Sequence, residues 1–555
     1  MKQILGKNHR LLFYGLWLLL GLLQAGLTEL QDDEAYYWVF SRYLDWGYFD
    51  HPPMTAVLVK IGYAIIPNEL GIRLFPLLLN IFSLAIIERL TENKNPFLFY
   101  AIALSMAVIQ LTGFVAVPDI PLIFFTALFF WCYKKFTAVQ SVLHTFLLGL
   151  SIAFLLYSKY HAVLIVFFTL LSNLKLFTKY QLYVAGTFSL LLFAPHLWWQ
   201  YQHDWVSFRY HLFESNVNAY KFSFTTDYIL GQLLLAGPVA GFILLPAAVL
   251  YNTKTKTERA LRFTLIGIYV FFLLSSFRGK VEGNWTSPAL VAVIILAHQY
   301  LNERQHWQKW LYRLLPVTLL LVLFARVVMI VDVLPVKAIQ TRYHAWKQWP
   351  QEMREKTKGL PVVFSNSYQR ASKYWFYSGQ MTYSLNLYKE RRNNYNFWPV
   401  EDSLLGKPVY FLDIWDLWRF PDSMKTPIGF VGYKYDSAFI SFSKVKINTP
   451  LKKIQIKENE EMSIICTITA PEHYKRFING PGSASDTIRI GIYKAGKWQQ
   501  DIFTGISLKR AIEQKSISLS INPALKPGNY FLRFAINHQF YPPTHNSEKI
   551  ELVVD

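Results

Sequence analysis

From Leu11 to Val331 the chain repeats one device: an apolar run near bilayer-spanning length, a short polar break, then another run. A bilayer span takes roughly 20 mostly apolar residues. Runs at 11–27, 71–87, 96–115, 120–133, 142–157, 162–177, 183–199, 228–250, 263–277, 287–301 and 314–331 predict eleven transmembrane helices. Little else accommodates such a pattern, because backbone polar groups in lipid must be satisfied within the segment itself. The composition agrees: 53% of residues are hydrophobic and 17% charged, against about a quarter charged in ordinary soluble domains. Intrinsic disorder, which needs low hydrophobicity and high charge, is excluded as well.

The formal charge of +20 raises the question of nucleic acid. The positions of the charges answer it. Lys2, Lys7 and Arg10 precede the first run. Arg89 and Lys94, Lys134 and Lys135, Lys175 and Lys179, the stretch 254–262 and the stretch 304–313 follow in every second loop. The positive-inside rule makes these loops cytoplasmic. The alternate loops, 28–70, 117–119, 158–161, 200–226 and 278–286, then face outward with everything after Val331. Topology accounts for much of the basic excess, and no nucleic-acid partner is expected. The first run has a basic flank but a long apolar core and no small-x-small cleavage pattern, so it is expected to stay as a span. Cys132 and Cys466 lie far apart and suggest neither a disulfide framework nor a cysteine metal site.

Near Lys337 the spans stop. An amphipathic helix is predicted over 337–353, then a strand at 360–364, a helix at 368–377 and a strand at 408–413. That alternation reads as a small α/β unit. Short alternating strands at 441–447, 461–468, 487–494, 516–521, 528–536 and 549–554 follow, with turns at Asn479-Gly480-Pro481-Gly482 and Lys526-Pro527-Gly528-Asn529. They read as a β-sandwich. The expected parts are 1–332 in the membrane, 333–437 as an extracytoplasmic α/β domain and 438–555 as an extracytoplasmic β-sandwich.

Candidate chemistry collects in the outward loops. The first carries Asp32-Asp33-Glu34 at the start of a helix with Tyr36, Tyr37, Phe40, Tyr43 and Leu44 on one face. That face suggests a helix lying along the membrane surface. The plain role for such acids is capping; the functional one is a general base for an acceptor hydroxyl. Asp50-His51-Pro52-Pro53 holds an acid and an imidazole in an extended turn. Asp119 sits between Pro118 and Pro121 at the head of a run, where capping is again the plain alternative. Lys159 and His161 share a short loop, and Lys280 and Glu282 another, where interfacial snorkelling is the plain role. Arg326, within the last run near its outer end, is expected to snorkel too. Acids and cations at one depth suit a reaction in which an acid takes a proton and cations neutralise a leaving phosphate.

Taken in order, these motifs resemble the polytopic GT-C glycosyltransferases, specifically the bacterial relatives of protein O-mannosyltransferases and of the lipid A aminoarabinose transferase. The likeness is strongest in Asp33-Glu34-Ala35-Tyr36-Tyr37-Trp38 and Gly47-Tyr48-Phe49-Asp50-His51-Pro52-Pro53. Pro118-Asp119-Ile120-Pro121, Ser158-Lys159-Tyr160, Trp205-Val206-Ser207-Phe208, Lys280-Val281-Glu282-Gly283-Asn284-Trp285 and the run from Arg391 to Pro399 support it. The resemblance covers roughly 11–399 and leaves out the final sandwich. It implies a GT-C fold in the plasma membrane and transfer of a sugar from a polyprenyl-phosphate donor, without a nucleotide sugar at the site. The implied acceptor is a hydroxyl of a glycolipid, polysaccharide or protein on the outer side.

The resemblance further implies Asp33 as catalytic base with inversion at the anomeric carbon, Glu34 as its neighbour and Asp119 as a second site acid. His51 stands where the aminoarabinose transferase has a phosphate-binding lysine. That passes the phosphate to Lys159 and Lys280 beside His51. The family leaves a divalent metal open, with Asp50, His51 and Glu282 as candidate ligands. Two rival classes stand against the enzyme: a transporter or flippase of lipid-linked sugars, and a glycan-binding assembly protein. No paired repeat and few mid-span charges argue against the first; a complete carboxylate site argues against the second.

Overall fold

The computed structural model describes residues 2–214, 220–388, 390–458, 460–478, 486–494, 497–538 and 540–555, with residues 2–7 and 214 described as backbone only. The predicted turn at 479–482 lies outside the described residues, as does part of the outward loop 200–226. The chain forms two compact units, Met1–His344 and Ala345–Asp555.

The first unit is helical, and every one of the eleven predicted runs is built largely of helix. Among the described residues five helices are long and apolar enough to cross a membrane: Asn8–Leu27, Glu69–Leu90, Asp119–Ala138, Tyr180–Gln202 and Gln305–Ile330. Phe222–Ala236 and Gly241–Leu250 make a sixth if they form one span bent by 94°. The bend needs Gly237, which has φ +145° and lies so near Ser105 that a Cβ would sit 2.8 Å from its carbonyl oxygen. The shorter apolar helices are Met54–Ile65, Pro96–Ser105, Val142–Ser158, Ala162–Leu171 and Ala289–Glu303. Ala289–Glu303 is apolar around most of its circumference and buried almost throughout, which marks it as a core helix of the bundle.

The run at 96–115 is a broken helix, with Pro96–Ser105 followed by Ala107–Thr112. A break frees backbone carbonyls that lipid cannot satisfy, and side chains serve them here. Asn80 donates to Ile109 O at 3.2 Å, and Gln110 to Leu104 O at 2.6 Å. Arg326 donates to Gln110 O at 2.7 Å. Arg326 therefore does more than snorkel, because its guanidinium reaches across to the freed backbone of another helix.

Several of the basic loops contact one another. Arg10 pairs with Glu88 at 2.9 Å, Lys134 with Glu92 at 3.3 Å, and Lys254 with Glu303. These contacts join loops that the basic pattern assigns to one side. The candidate-site loops contact one another separately, as described below.

In the second unit a five-stranded sheet comprises β1 (Val362–Ser365), β2 (Thr382–Leu385), β3 (Val409–Asp413), β4 (Asp422–Thr426) and β5 (Gly429–Asp436). Its order is β2-β1-β3-β5-β4, with β1 parallel to both β2 and β3. Helix Tyr368–Ser378 links β1 to β2. Two further sheets follow. One is β10 (Lys497–Ser507), β9 (Thr487–Lys494), β12 (Gly528–Asn537), β13 (Ile550–Val554) and β7 (Lys453–Ile456) in that order. The other is β11 (Ser516–Ile521), β8 (Met462–Thr469) and β6 (Lys446–Asn448). Alternation along β8 and β11 buries Ile464, Cys466, Ile468, Ile517, Leu519 and Ile521, the pattern of a half-buried sheet. These are the two sheets expected of a sandwich.

The single helix predicted over 337–353 is two, Lys337–Tyr343 and Trp349–Lys356. Pro350 starts the second, where its missing N–H costs nothing and its ring would obstruct a continuing helix. The strand predicted at 441–447 shrinks to β6, and β2, β4, β5, β7 and β10 are strands the sequence pattern did not signal.

Candidate active site

The site begins with an ion pair. Helix Asp32–Arg42 starts after Gln31, whose N–H donates to Glu34 at 2.9 Å. Glu34 is fully buried. Its carboxylate accepts from Arg73 Nε at 2.8 Å, from Arg73 Nη2 at 2.5 Å and from the Ala116 N–H at 3.0 Å. Arg73 is also fully buried. Its remaining donors reach Ala25 O at 2.8 Å, Thr28 O at 2.7 Å and Glu29 O at 2.8 Å. One guanidinium thus ties the end of the first helix, the first loop and, through Glu34, the loop leading to Asp119. Such fork geometry suits arginine and no other cation. Glu34 has no open lone pair of consequence: it belongs to the frame. Asp33, beside it, is exposed. The capping position is Gln31 and not Asp32 or Asp33, while Glu34 closes a capping box by accepting from the Gln31 N–H. Nor does the helix lie on a surface, since Glu34 through Ser41 are all buried.

The Asp50-His51-Pro52-Pro53 turn is held from the far side of the unit. His196 Nδ1 lies 2.7 Å from Trp46 O, which can only accept, so this nitrogen carries the proton. His196 Nε2 then accepts from Tyr160 Oη at 3.1 Å. Trp199 Nε1 donates to Asp45 at 2.8 Å, Ser207 Oγ to Tyr48 O at 2.8 Å, and His211 Nε2 to Asp50 O at 2.9 Å. Gly47 is required where Trp199 crosses, since a Cβ there would meet the indole at 2.5 Å. The Tyr37 ring packs edgewise on His51 with centroids 5.7 Å apart, so the acid-bearing helix and the proline turn touch.

His51 Nδ1 is enclosed and has no hydrogen-bond partner among the described residues. Burial pushes the imidazole pKa down to about 4; Asp50 and Asp119 pull it up, while Lys159 and His211 push it down. His51 is therefore neutral near pH 7, and its imidazole offers a hydrogen bond but no charge. The linkage has a definite sign. A histidine whose folded pKa lies below its ordinary 6.5 contributes stability that is complete above that value and lost as pH falls toward 4. The unfolding temperature of the detergent-solubilised protein is expected to drop between about pH 7 and about pH 5. His51→Gln, which cannot protonate, is expected to flatten that slope; an unchanged slope assigns the titration elsewhere.

Asp119 joins three loops. It is buried at the head of helix Asp119–Ala138. Oδ1 accepts from Lys159 Nζ at 2.8 Å and from Ser287 Oγ at 2.8 Å. Oδ2 accepts from Asn284 Nδ2 at 2.9 Å. No capping bond from this side chain is made, so the bland alternative fails and the carboxylate works across loops. Lys159 is buried with it. Lys280 is exposed and forms an ion pair with Glu282 at 3.0 Å. Among the described residues no three His, Cys, Asp or Glu side chains converge as a metal site. Asp50, His51 and Glu282 therefore do not form the ligand set that the sequence suggests.

The structure thus links the loops bearing Asp33, Asp50, His51, Asp119 and Lys159 through direct contacts. It leaves Lys280 and Glu282 at the surface of a loop that Asn284 and Ser287 anchor to Asp119. Sequence reasoning missed Arg73, Ser287, His196 and His211. Arg73 had a signal, being an ionisable residue inside an apolar run; the others had none, since their partners lie far along the chain. Chemically, the arrangement places the exposed Asp33 carboxylate beside a rigid frame, and Lys159 is a cation already steadied by an acid.

Comparisons with known proteins give a family-model match to part of the chain, a curated relative and solved structures of similar fold. A family model described as dolichyl-phosphate-mannose-protein mannosyltransferase matches residues 50–199. A curated relative, the lipid A galacturonosyltransferase RgtD of Rhizobium johnstonii, is 24% identical over 293 residues. That match takes in 50% of this chain and 61% of the relative, so the chain spans under two thirds of the relative's length. In fold, the chain resembles ArnT of Cupriavidus metallidurans in the apo state, with a TM-score of 0.56 and 13% identity over 77% of this chain and 98% of that one. The crystal structure of the same protein bound to undecaprenyl phosphate matches with a TM-score of 0.54 and 13% identity, over 76% and 97%. The likeness establishes the GT-C fold, with a strand-rich C-terminal region.

Proposed function

We propose that this chain is a multi-pass inner-membrane glycosyltransferase that moves a sugar from a polyprenyl-phosphate carrier to an acceptor hydroxyl on the extracytoplasmic side. The observation that carries the reading is the division of labour between adjacent acids: Glu34 is consumed by Arg73 and Ala116, while Asp33 is exposed. The curated relative and the structural neighbour, named for lipid A transfer and for bound undecaprenyl phosphate, support a lipid-linked donor and a glycolipid acceptor. The catalytic part is assigned to residues 1–332, with 333–437 and 438–555 as extracytoplasmic parts. The separate gathering of basic loops supports that sidedness.

In this reading the acceptor oxygen attacks the anomeric carbon from the face opposite the phosphate, giving inversion. Its proton passes to the Asp33 carboxylate. The sugar–phosphate C–O bond breaks, and its electron pair stays on the phosphate oxygen. Lys159 and Lys280 neutralise that oxygen, and neutral His51 adds a hydrogen bond. Asp119 holds Lys159 in place; Glu34 holds the start of the Asp33 helix.

The test is transfer of radiolabelled sugar from a panel of polyprenyl-phosphate sugars to membrane lipids, using membranes that carry the wild type or the Asp33→Asn variant. Label in an acceptor with wild type alone is the expected result. Transport of the intact donor across vesicles, with no label in any acceptor, overturns the reading in favour of a flippase.

A further inference from the structure

The sheet β2-β1-β3 holds a second place where chemistry gathers. The chain leaves β1 through helix Tyr368–Ser378 for β2 on one side and returns to β3 on the other. The gap between β1 and β3 is a topological switch point. In open α/β sheets, ligands bind outside the carboxyl ends of the strands at such points.

The loops at that end carry a consistent set of side chains. After β1, Ser367 caps the helix by accepting from the Arg370 N–H at 3.2 Å. After β2, Asn386 donates to Arg391 O at 2.6 Å, and Arg391 lies over the Tyr368 ring at 5.3 Å while donating to its hydroxyl at 3.1 Å. After β3, the buried Asp413 carboxylate accepts from the N–H groups of Ile414 at 2.6 Å and Trp415 at 2.9 Å. That turn leaves Trp415 69% exposed and Trp418 79% exposed, the latter the most exposed large apolar side chain among the described residues. Arg370 lies over Trp415 at 5.4 Å and Arg419 over Trp418 at 4.8 Å.

At this exposure the two indoles bury little apolar surface in the fold. Arg370 and Arg391 bring guanidinium groups to the same loops as these indoles, and Arg419 approaches Asp416 at 3.8 Å. Aromatic faces take the C–H surface of a sugar ring by apolar contact, and guanidinium groups take phosphate or carboxylate in bidentate fashion. We infer that the carboxyl end of β2, β1 and β3, with Trp415, Trp418, Arg370 and Arg391, is a binding site for an anionic saccharide. This site lies outside the proposed catalytic residues, and its test does not depend on turnover.

The experiment is equilibrium binding to the full chain in detergent micelles. The probes are a fluorophore-labelled glucosamine disaccharide bisphosphate, a digalacturonic acid and neutral chitobiose. Saturable binding of at least one anionic probe is expected, at least tenfold tighter than chitobiose and weakening with salt. The tighter anionic probe tells phosphate from carboxylate. Trp415→Ala/Trp418→Ala and Arg370→Ala are each expected to weaken it at least tenfold with an unchanged unfolding temperature, since the two tryptophans are surface groups. Equal binding of chitobiose, equal binding by the variants, or no saturable binding overturns the inference. So does loss in the tryptophan variant of attachment to phosphatidylglycerol vesicles alone, which makes the indoles a membrane anchor.

Discussion

Asp33→Asn is expected to lower sugar transfer by about 10²–10⁴-fold while leaving the protein folded. The amide keeps the shape of the carboxylate but takes no proton from the attacking hydroxyl. The exposure of Asp33 makes the change cheap for the fold, because surface substitutions usually stay within about 0.5 kcal/mol. The loss should fall on kcat, with little change in KM, since the base acts in the transition state. Measurement needs the unfolding temperature of the variant beside its initial rates. Near-normal turnover in a folded variant removes Asp33 from the role of base. A parallel Glu34→Gln variant separates the two acids: its damage should appear first in the unfolding temperature, because Glu34 holds buried structure.

Arg73→Met is expected to destabilise the protein by about 3–5 kcal/mol, the usual cost of leaving one member of a buried ion pair uncompensated. Both side chains are fully enclosed, so water cannot take the place of the lost partner. The variant also orphans the carbonyls of Ala25, Thr28 and Glu29, each of which now accepts from Arg73. For that reason Arg73→Met/Glu34→Leu is expected to recover only part of the loss. Removing both charges repairs the electrostatics and leaves the carbonyls unserved. Thermal unfolding in one detergent for the wild type, both single variants and the double variant gives the coupling directly. An Arg73→Met protein as stable as wild type would show that the pair contributes nothing to holding the loops.

Several parts of this molecule could be read along the chain. Ser516–Ile521 appears where strict alternation puts it, because a half-buried strand needs one apolar side chain in two. Lys497–Ser507 carries no strand signal, because its first half is a row of Lys, Gln and Asp. It lies at the edge of its sheet, where pairing is supplied by one neighbour and the pattern need not alternate. The break at Met106 had no marker either, since the residues that repair it, Asn80, Gln110 and Arg326, come from three different helices.

The candidate site divides in the same way. The sequence alone determined which loops carry acids and cations, because hydropathy, proline and charge alternation act locally. It did not determine what each acid does. Glu34 and Asp33 are neighbours of like chemistry, and a guanidinium 39 residues away holds Glu34 in the interior while Asp33 is exposed. Asp119 resembles a helix cap until Lys159, 40 residues on, and Ser287, 168 residues on, donate to it. A carboxylate is defined by the donors around it, and in a helical bundle those donors arrive from other helices. The tertiary structure therefore decided that Glu34 and Asp119 hold the frame and that Asp33 remains open to solvent.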